Sequence, residues 1–179
     1  MRIVSGKLKS FRFNPPKGFP SRPTTNFAKE ALFNVLQHRI AMYDLDILDL
    51  YAGTGNISFE FASREAGYID AVDNNFKCCK FIQTLALKYK VEDEVNVIKS
   101  DAIKFLNTSH KTYDLIFCDP PFKMEVHEEI IEIIKERKLL NENGLLIIEH
   151  GKETNLSEIK GFNDAKNYGG VIFSFFTFE

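Results

Sequence analysis

Asp49-Leu50-Tyr51-Ala52-Gly53-Thr54-Gly55-Asn56 decides how the rest of the chain is read. It closes an apolar run that begins at Leu45 and leads into a segment, 56–66, with helical spacing. Glycines at such a strand-to-helix junction let the backbone turn tightly and approach a ligand, while the first helical turn offers free N–H groups. A Gly-x-Gly loop alone is a weak signal, and Ser58 stands where the dinucleotide fingerprint has its third glycine. The next apolar segment, 68–72, adds weight because it runs into Asp73, where a carboxylate reaches the two hydroxyls of a ribose.

Outward from this point the chain alternates. Strands are predicted at 45–50, 68–72, 94–98, 113–118 and 144–149, with helices at 56–66, 75–89, 101–107 and 125–137 between them. That alternation is the mark of a parallel α/β sheet. Phe162–Tyr168 and Val171–Phe178 flank Gly169-Gly170, which predicts an antiparallel hairpin finishing the sheet. In the order 3-2-1-4-5, the first and fourth strands are neighbours where the winding reverses, and ligands of open α/β sheets bind at that point. Asp49, Asp73, Asp101 and Asp119 all fall at or just past the carboxyl ends of strands.

Asp119-Pro120-Pro121-Phe122 follows the fourth of these strands and carries the most specific chemistry. The exocyclic nitrogen of a nucleobase is a poor nucleophile because its lone pair is delocalised into the ring. Asp119 and the Pro120 carbonyl can accept its two N–H bonds, the prolines stiffen the loop and remove competing donors, and Phe122 offers a stacking face.

Residues 1–43 form a basic extension ahead of the body, 44–179. Eight Lys or Arg lie within 1–39 against Glu30 alone, a net +7, which leaves −9 on the remainder of a chain whose total is −2. The asymmetry suggests a polyanion-binding surface that includes Arg2, Lys7, Lys9, Arg12 and Arg22. Alternation at Phe11–Phe13 predicts a short strand, hairpinned with Arg2-Ile3-Val4. A helix begins near Thr24-Thr25. Its period places Phe27, Ala31, Leu32, Val35 and Leu36 against the core and leaves Lys29 and Arg22 free for a ligand or RNA.

With 179 residues and 44% apolar content the chain can bury its own core without disulfides. Cys78, Cys79 and Cys118 match neither a disulfide framework nor a zinc spacing, and no apolar stretch reaches the length of a membrane span. The expectation is a cytoplasmic protein without a metal. His38, His110, His127 and His150 form no ligand motif and read as surface or loop residues.

Taken together these segments resemble the RsmD-type 16S ribosomal RNA guanine-N2 methyltransferases, a branch of the Rossmann-like class I methyltransferases. The likeness rests on Met1–Lys7, on Arg22-Pro23-Thr24-Thr25 leading into Glu30–Asn34, on the Asp49–Gly55 loop and on Asp119–Phe122. The resemblance implies a seven-stranded sheet of order 3-2-1-4-5-7-6, S-adenosylmethionine as cofactor, and a monomer acting on 16S rRNA in the small ribosomal subunit, where ribosomal proteins are further contacts. It also implies that Asp49 takes the cofactor's amino group, Asp73 its ribose and Asp101 its adenine. Ala52, Gly53, Thr54, Gly55 and Asn56, with Asn74 and Ala102, complete the cofactor set, and Asp119, Pro120, Pro121 and Phe122 hold the target base. The rival readings are an amino-methyltransferase acting on DNA or protein, and an RNA-binding assembly factor that keeps the fold without turnover.

Overall fold

The computed structural model describes residues 1–21, 24–121 and 124–178, so Arg22 and Phe122 lie outside the described residues. Helix α1 (Asn26–Leu36) is followed by β1 (Asp46–Leu50), α2 (Asn56–Ser63), β2 (Tyr68–Asp73), α3 (Phe76–Tyr89), β3 (Val95–Lys99), α4 (Ala102–Thr108), β4 (Tyr113–Cys118), α5 (His127–Glu136), β5 (Leu140–His150), β6 (Phe162–Tyr168) and β7 (Val171–Phe176). The strands form one sheet of order β3-β2-β1-β4-β5-β7-β6, as anticipated. The pairs from β3 across to β5 are parallel, and β7 runs antiparallel to both β5 and β6. β5 starts four residues earlier than its apolar run because Leu140 pairs with Tyr113 before a shift in register. Among the described residues no helix is long and apolar enough to cross a membrane.

Each face of the sheet is covered. One layer joins Ile47, Phe117 and Phe173 to Leu32 and Phe33 of α1, Phe59 and Phe61 of α2, and Ile82 and Leu85 of α3. Ile3, Leu8 and Phe13 bury in that same layer. The other packs Leu48, Ile116 and Ile148 against Leu106 of α4 and Ile130, Ile131 and Ile134 of α5. Each such side chain contributes about 1.5–3 kcal/mol by leaving water.

The N-terminal hairpin is looser than its alternation suggests. Only Arg2 and Arg12 form a bridge, supported by backbone bonds from Ile3 N–H to the Phe11 carbonyl and from Ser10 N–H to the Ile3 carbonyl. Its turn is pressed onto the end of α2. Gly6 has φ +80°, and a Cβ there would stand 1.7 Å from the Ser63 carbonyl oxygen, so no other residue fits.

Two expectations for α1 are corrected. Phe27 is 66% exposed, and the buried face is instead Ala28, Lys29, Leu32, Phe33 and Leu36. Lys29 is not free for a ligand: it is wholly buried and donates to the Arg2 carbonyl at 2.7 Å, to Asn56 Oδ1 at 2.9 Å and to Glu60 at 3.1 Å. Glu60, also buried, accepts from the Val4 and Ser5 amides and pairs with Arg64. A charge taken out of water must find such a partner, and the helix buries Lys29 beside the apolar stripe of Ala28, Leu32, Phe33 and Leu36, one residue on from the period read in the sequence. Burial lowers the Lys29 pKa, with Glu60 acting in opposition.

Removing the cation strands Glu60 with Arg64 alone. Lys29→Ala is therefore expected to destabilise the protein by about 3 kcal/mol in urea unfolding, whereas Lys29→Met combined with Glu60→Gln recovers most of that loss.

Candidate active site

Parallel pairing brings the carboxyl ends of β1, β2, β4 and β5 to one edge. The loop from β1 to α2 turns there through three left-handed residues, Tyr51 at φ 61°, Gly53 at 55° and Gly55 at 72°. A Cβ on Gly55 would approach the Phe59 ring to 2.8 Å and Ile82 to 3.0 Å, so both conformation and packing require glycine. Asp73 fixes this loop from the neighbouring strand, accepting the Gly53 N–H at 2.8 Å on one oxygen and the Asn75 N–H at 2.8 Å on the other.

Asp49, Ala52, Thr54, Asn56 and Asp119 line one narrow cleft, joined by Ser21, Thr24 and Tyr51. Its enclosed volume is small, about 20 Å³. A roomier depression of about 520 Å³ lies over α1 and β6, lined by Ala31, Asn34, Val35, His38, Arg39 and Tyr168. It contains no carboxylate, and its Arg39 is held bidentate by Asp164. The strand ends meet at the smaller cleft.

Three acids converge there. Asp49 is buried and accepts a short hydrogen bond from the Ser58 hydroxyl. Burial pushes its carboxyl up to about 7, with the Ser58 hydrogen bonds opposing and the charge of Asp73 adding to the rise. Asp119 follows β4, its N–H bonded to the Leu50 carbonyl at 3.3 Å. Its carboxyl is held well above the usual carboxylate range by burial, then by the charges of Glu149 and Asp49. Glu149, one residue short of the end of β5, is 3% exposed. It accepts from the Thr24 hydroxyl at 2.9 Å, and burial pushes it up to about 7. Tyr51 adds a buried hydroxyl that has no partner among the described residues.

The remaining sites read from the sequence are placed as follows. Asp101 is exposed and caps α4, accepting the Lys104 N–H at 2.9 Å, while Ala102 beside it is buried. Asn74 is exposed, and its neighbour Asn75 caps α3. Asn56 is buried, donating to the Thr24 carbonyl and accepting from Lys29. Pro120 is buried and Pro121 exposed. Arg2 pairs with Glu30 at 2.7 Å and Lys7 with Glu94 at 2.5 Å, while Lys9 and Arg12 are exposed and have no ion pair among the described residues.

Glu149 is absent from the sequence reading, and Thr24 enters it only as the start of a helix and part of the Arg22–Thr25 segment. Glu149 obeys the same strand-end rule as the four aspartates, since it closes the run Leu145–Ile148. Two histidines are corrected. His127 and His150 are buried, with ring centroids 6.2 Å apart where the first turn of α5 meets the end of β5. The His150 Nδ1–H donates to the Gly151 carbonyl, so Nε2 accepts from the Ser174 hydroxyl at 2.7 Å. Burial lowers the pKa of both rings. The Cys118 thiol is raised well above its ordinary value by burial and is a core residue rather than a nucleophile. Among the described residues no cluster of His, Cys, Asp or Glu is placed to hold a metal.

A family described as "Conserved hypothetical protein 95" matches residues 1–177. "Ribosomal RNA small subunit methyltransferase D" of Buchnera aphidicola subsp. Baizongia pistaciae is 31% identical over 155 residues, 87% of this chain and 78% of that protein. The protein of the same name from Escherichia coli is 29% identical over 161 residues, covering 89% and 79%. Among solved structures, a proposed Escherichia coli methyltransferase, yhhF, overlays with a TM-score of 0.86 at 23% identity, covering 98% of this chain and 96% of that one. The ribosomal protein L11 methylase of Lactobacillus delbrueckii subsp. bulgaricus overlays at 0.69 and 16% identity, covering 87% and 80%. These two overlays speak for the fold.

A carboxyl raised in the folded state contributes stability that is present below its unfolded pKa, about 3.9 for Asp, and is lost as pH rises through the folded value, here about 7. Replacing Asp49 by Asn removes that loss. Asp49→Asn is expected to match the wild-type melting temperature near pH 4 and to exceed it by about 3 °C or more at pH 8 without ligand, as read by calorimetry.

Proposed function

The chain belongs to the family described as conserved hypothetical protein 95, and we propose that it transfers a methyl group from S-adenosylmethionine to the exocyclic N2 of a guanine in 16S ribosomal RNA. The observation that carries this reading is the Asp119-Pro120 loop opening onto a cleft of acids raised by burial. Names of relatives support the same acceptor, since those from Buchnera aphidicola and Escherichia coli are small-subunit rRNA methyltransferases.

The acid set fits the cofactor. Asp49, Asp119 and Glu149 make the cleft costly to leave fully ionised and empty of positive charge, which suits a ligand bearing an ammonium and a sulfonium. Asp49 would take the amino group, and Asp73, already oriented by two backbone amides, would meet the ribose beside the exposed Asp101 and Ala102. Because the enclosed volume is small, the nucleoside would lie over the open strand ends near Asn74, with the loop from Ala52 to Asn56 beneath it. When bound, S-adenosylmethionine supplies a methyl group already activated on a sulfonium, so this reading requires no metal.

The chain's own residues do the rest. Asp119 and the Pro120 carbonyl accept the two N–H bonds of the target amine and aim its lone pair, and no backbone N–H of the described residues donates to the Pro120 carbonyl. Phe122, outside the described residues, would stack on the extruded base. Holding the reactants as neighbours can lower the barrier by about 7–11 kcal/mol. Asp119 therefore needs to orient more than to abstract.

Residues 1–43 would grip the acceptor. Lys9 and Arg12 are available to RNA phosphates, and surface pairs such as Arg2–Glu30 and Lys7–Glu94 are weak enough to exchange for them. The shape of a partly assembled small subunit, with its ribosomal proteins, would select one guanine. The enzyme would act there as a monomer in the cytoplasm.

Unmethylated small subunits, naked rRNA and DNA incubated with labelled S-adenosylmethionine test the assignment. N2-methylguanosine is expected from the subunits, reduced about 100-fold or more by Asp119→Ala, and charge reversal at Lys9 and Arg12 is expected to raise KM for subunits about tenfold without changing cofactor affinity. Label in DNA or protein would replace the acceptor, and cofactor binding without transfer to any of them would leave an assembly factor.

A further inference from the structure

Asp119 and Glu149 are the residues immediately past Cys118↔Ile148, the last registered pair of the adjacent parallel strands β4 and β5. Neighbouring strands lie about 4.8 Å apart. Each acid is two residues beyond a side chain of the same core layer, Phe117 and Ile147, so the two carboxyls share one face of the sheet. Glu149 is nearly wholly buried and hangs from the Thr24 hydroxyl at 2.9 Å, while Asp119 reaches the cleft.

The groups facing this pair are Asp49 of β1, capped by Ser58 of α2 and adjoined by Asp73 of β2, then Thr24 ahead of α1 and the Cys118 thiol of β4. Among the described residues no cation forms an ion pair with Asp49, Asp119 or Glu149, and Lys29, which reaches Asn56 of the same cleft, is tied to Glu60. Two carboxyls so close and so little solvated retain one proton between them.

We propose that Glu149 is a positioning residue for methyl transfer: held by Thr24, it carries the proton shared with Asp119 and so leaves the Asp119 carboxylate oriented to accept the target amine's N–H. This rests on the amino-methyl transfer assigned above. During the step the amine lone pair forms the new N–C bond as the methyl–sulfur bond breaks, its electron pair remaining on sulfur as a neutral thioether. The nitrogen, now cationic, gives one proton to Asp119. The carboxyl pair then holds two protons and returns one to water when product leaves.

Carboxyl ¹³C shifts of Asp119 in the full-length, cofactor-free protein read the sharing directly. Wild type is expected to titrate in two steps. Glu149→Gln, whose amide donates permanently, is expected to give a single step lying about one pH unit or more below the wild-type upper step, and Thr24→Val is expected to move that upper step to higher pH. With saturating S-adenosylmethionine and small subunits, kcat of the wild type is expected to fall on the alkaline side as the shared proton is lost. Glu149→Gln, whose amide does not lose its proton in this range, is expected to lose that alkaline fall. An unchanged Asp119 titration in Glu149→Gln, or an unchanged alkaline limb, overturns the proposal; should that variant not fold, an unmoved upper step in Thr24→Val does the same. Two-step titration in a wild-type enzyme that methylates no subunit overturns the assigned reaction instead, and leaves the carboxyl pairing standing.

Discussion

Parallel pairing of β1 with both β2 and β4 is the constraint on which the remaining architecture depends. Because crossovers return each strand in the same direction, every carboxyl end arrives at one edge, and because the winding reverses beside β1, the glycine loop and the Asp119 loop open onto the same cleft. A strand entered in the opposite sense would send its terminal acid to the far edge. The gathering of Asp49, Asp73, Asp119 and Glu149 is therefore a consequence of topology rather than of any attraction among like charges.

A buried ion pair ties the N-terminal arm to that edge. Lys29 reaches Glu60 of α2, the Arg2 carbonyl of the arm and Asn56 at the end of the glycine loop, while Asn56 in turn holds the Thr24 carbonyl and Thr24 holds Glu149. Such a network adds little to stability over an apolar filling, because desolvation offsets much of the Coulombic gain. What it supplies is geometry: one chain of hydrogen bonds joins the basic arm, the glycine loop and Glu149.

Period and punctuation carried most of the fold. Strand and helix alternation, the Gly169-Gly170 turn and the strand-end aspartates were all readable because each depends on local backbone chemistry or on one repeating pattern. Burial of polar groups was not. Lys29 and His150 have the composition of a surface, and only their long-range partners, Glu60 across 31 positions and Ser174 across 24, explain why they are inside. Phe27 was misplaced because α1 offers two overlapping apolar stripes, and the sheet takes the one formed by Ala28, Leu32, Phe33 and Leu36. Glu149 could have been found by extending the strand-end rule to the fifth strand, whereas its bond to Thr24, 125 residues away, could not.

The acids at the strand ends are central, because burial raises all three and makes the cleft costly to ionise without a neighbouring positive charge. Calorimetric binding of S-adenosylmethionine and of S-adenosylhomocysteine near pH 7, each in buffers of different ionisation enthalpy, counts the protons displaced. Both ligands carry the ammonium assigned to Asp49, so each should displace part of the proton that Asp49 holds, approaching about half a proton near pH 7, while the Asp119–Glu149 pair is expected to keep the proton it shares. Zero release by both ligands would contradict the claim that these buried carboxyls are kept for a positively charged ligand.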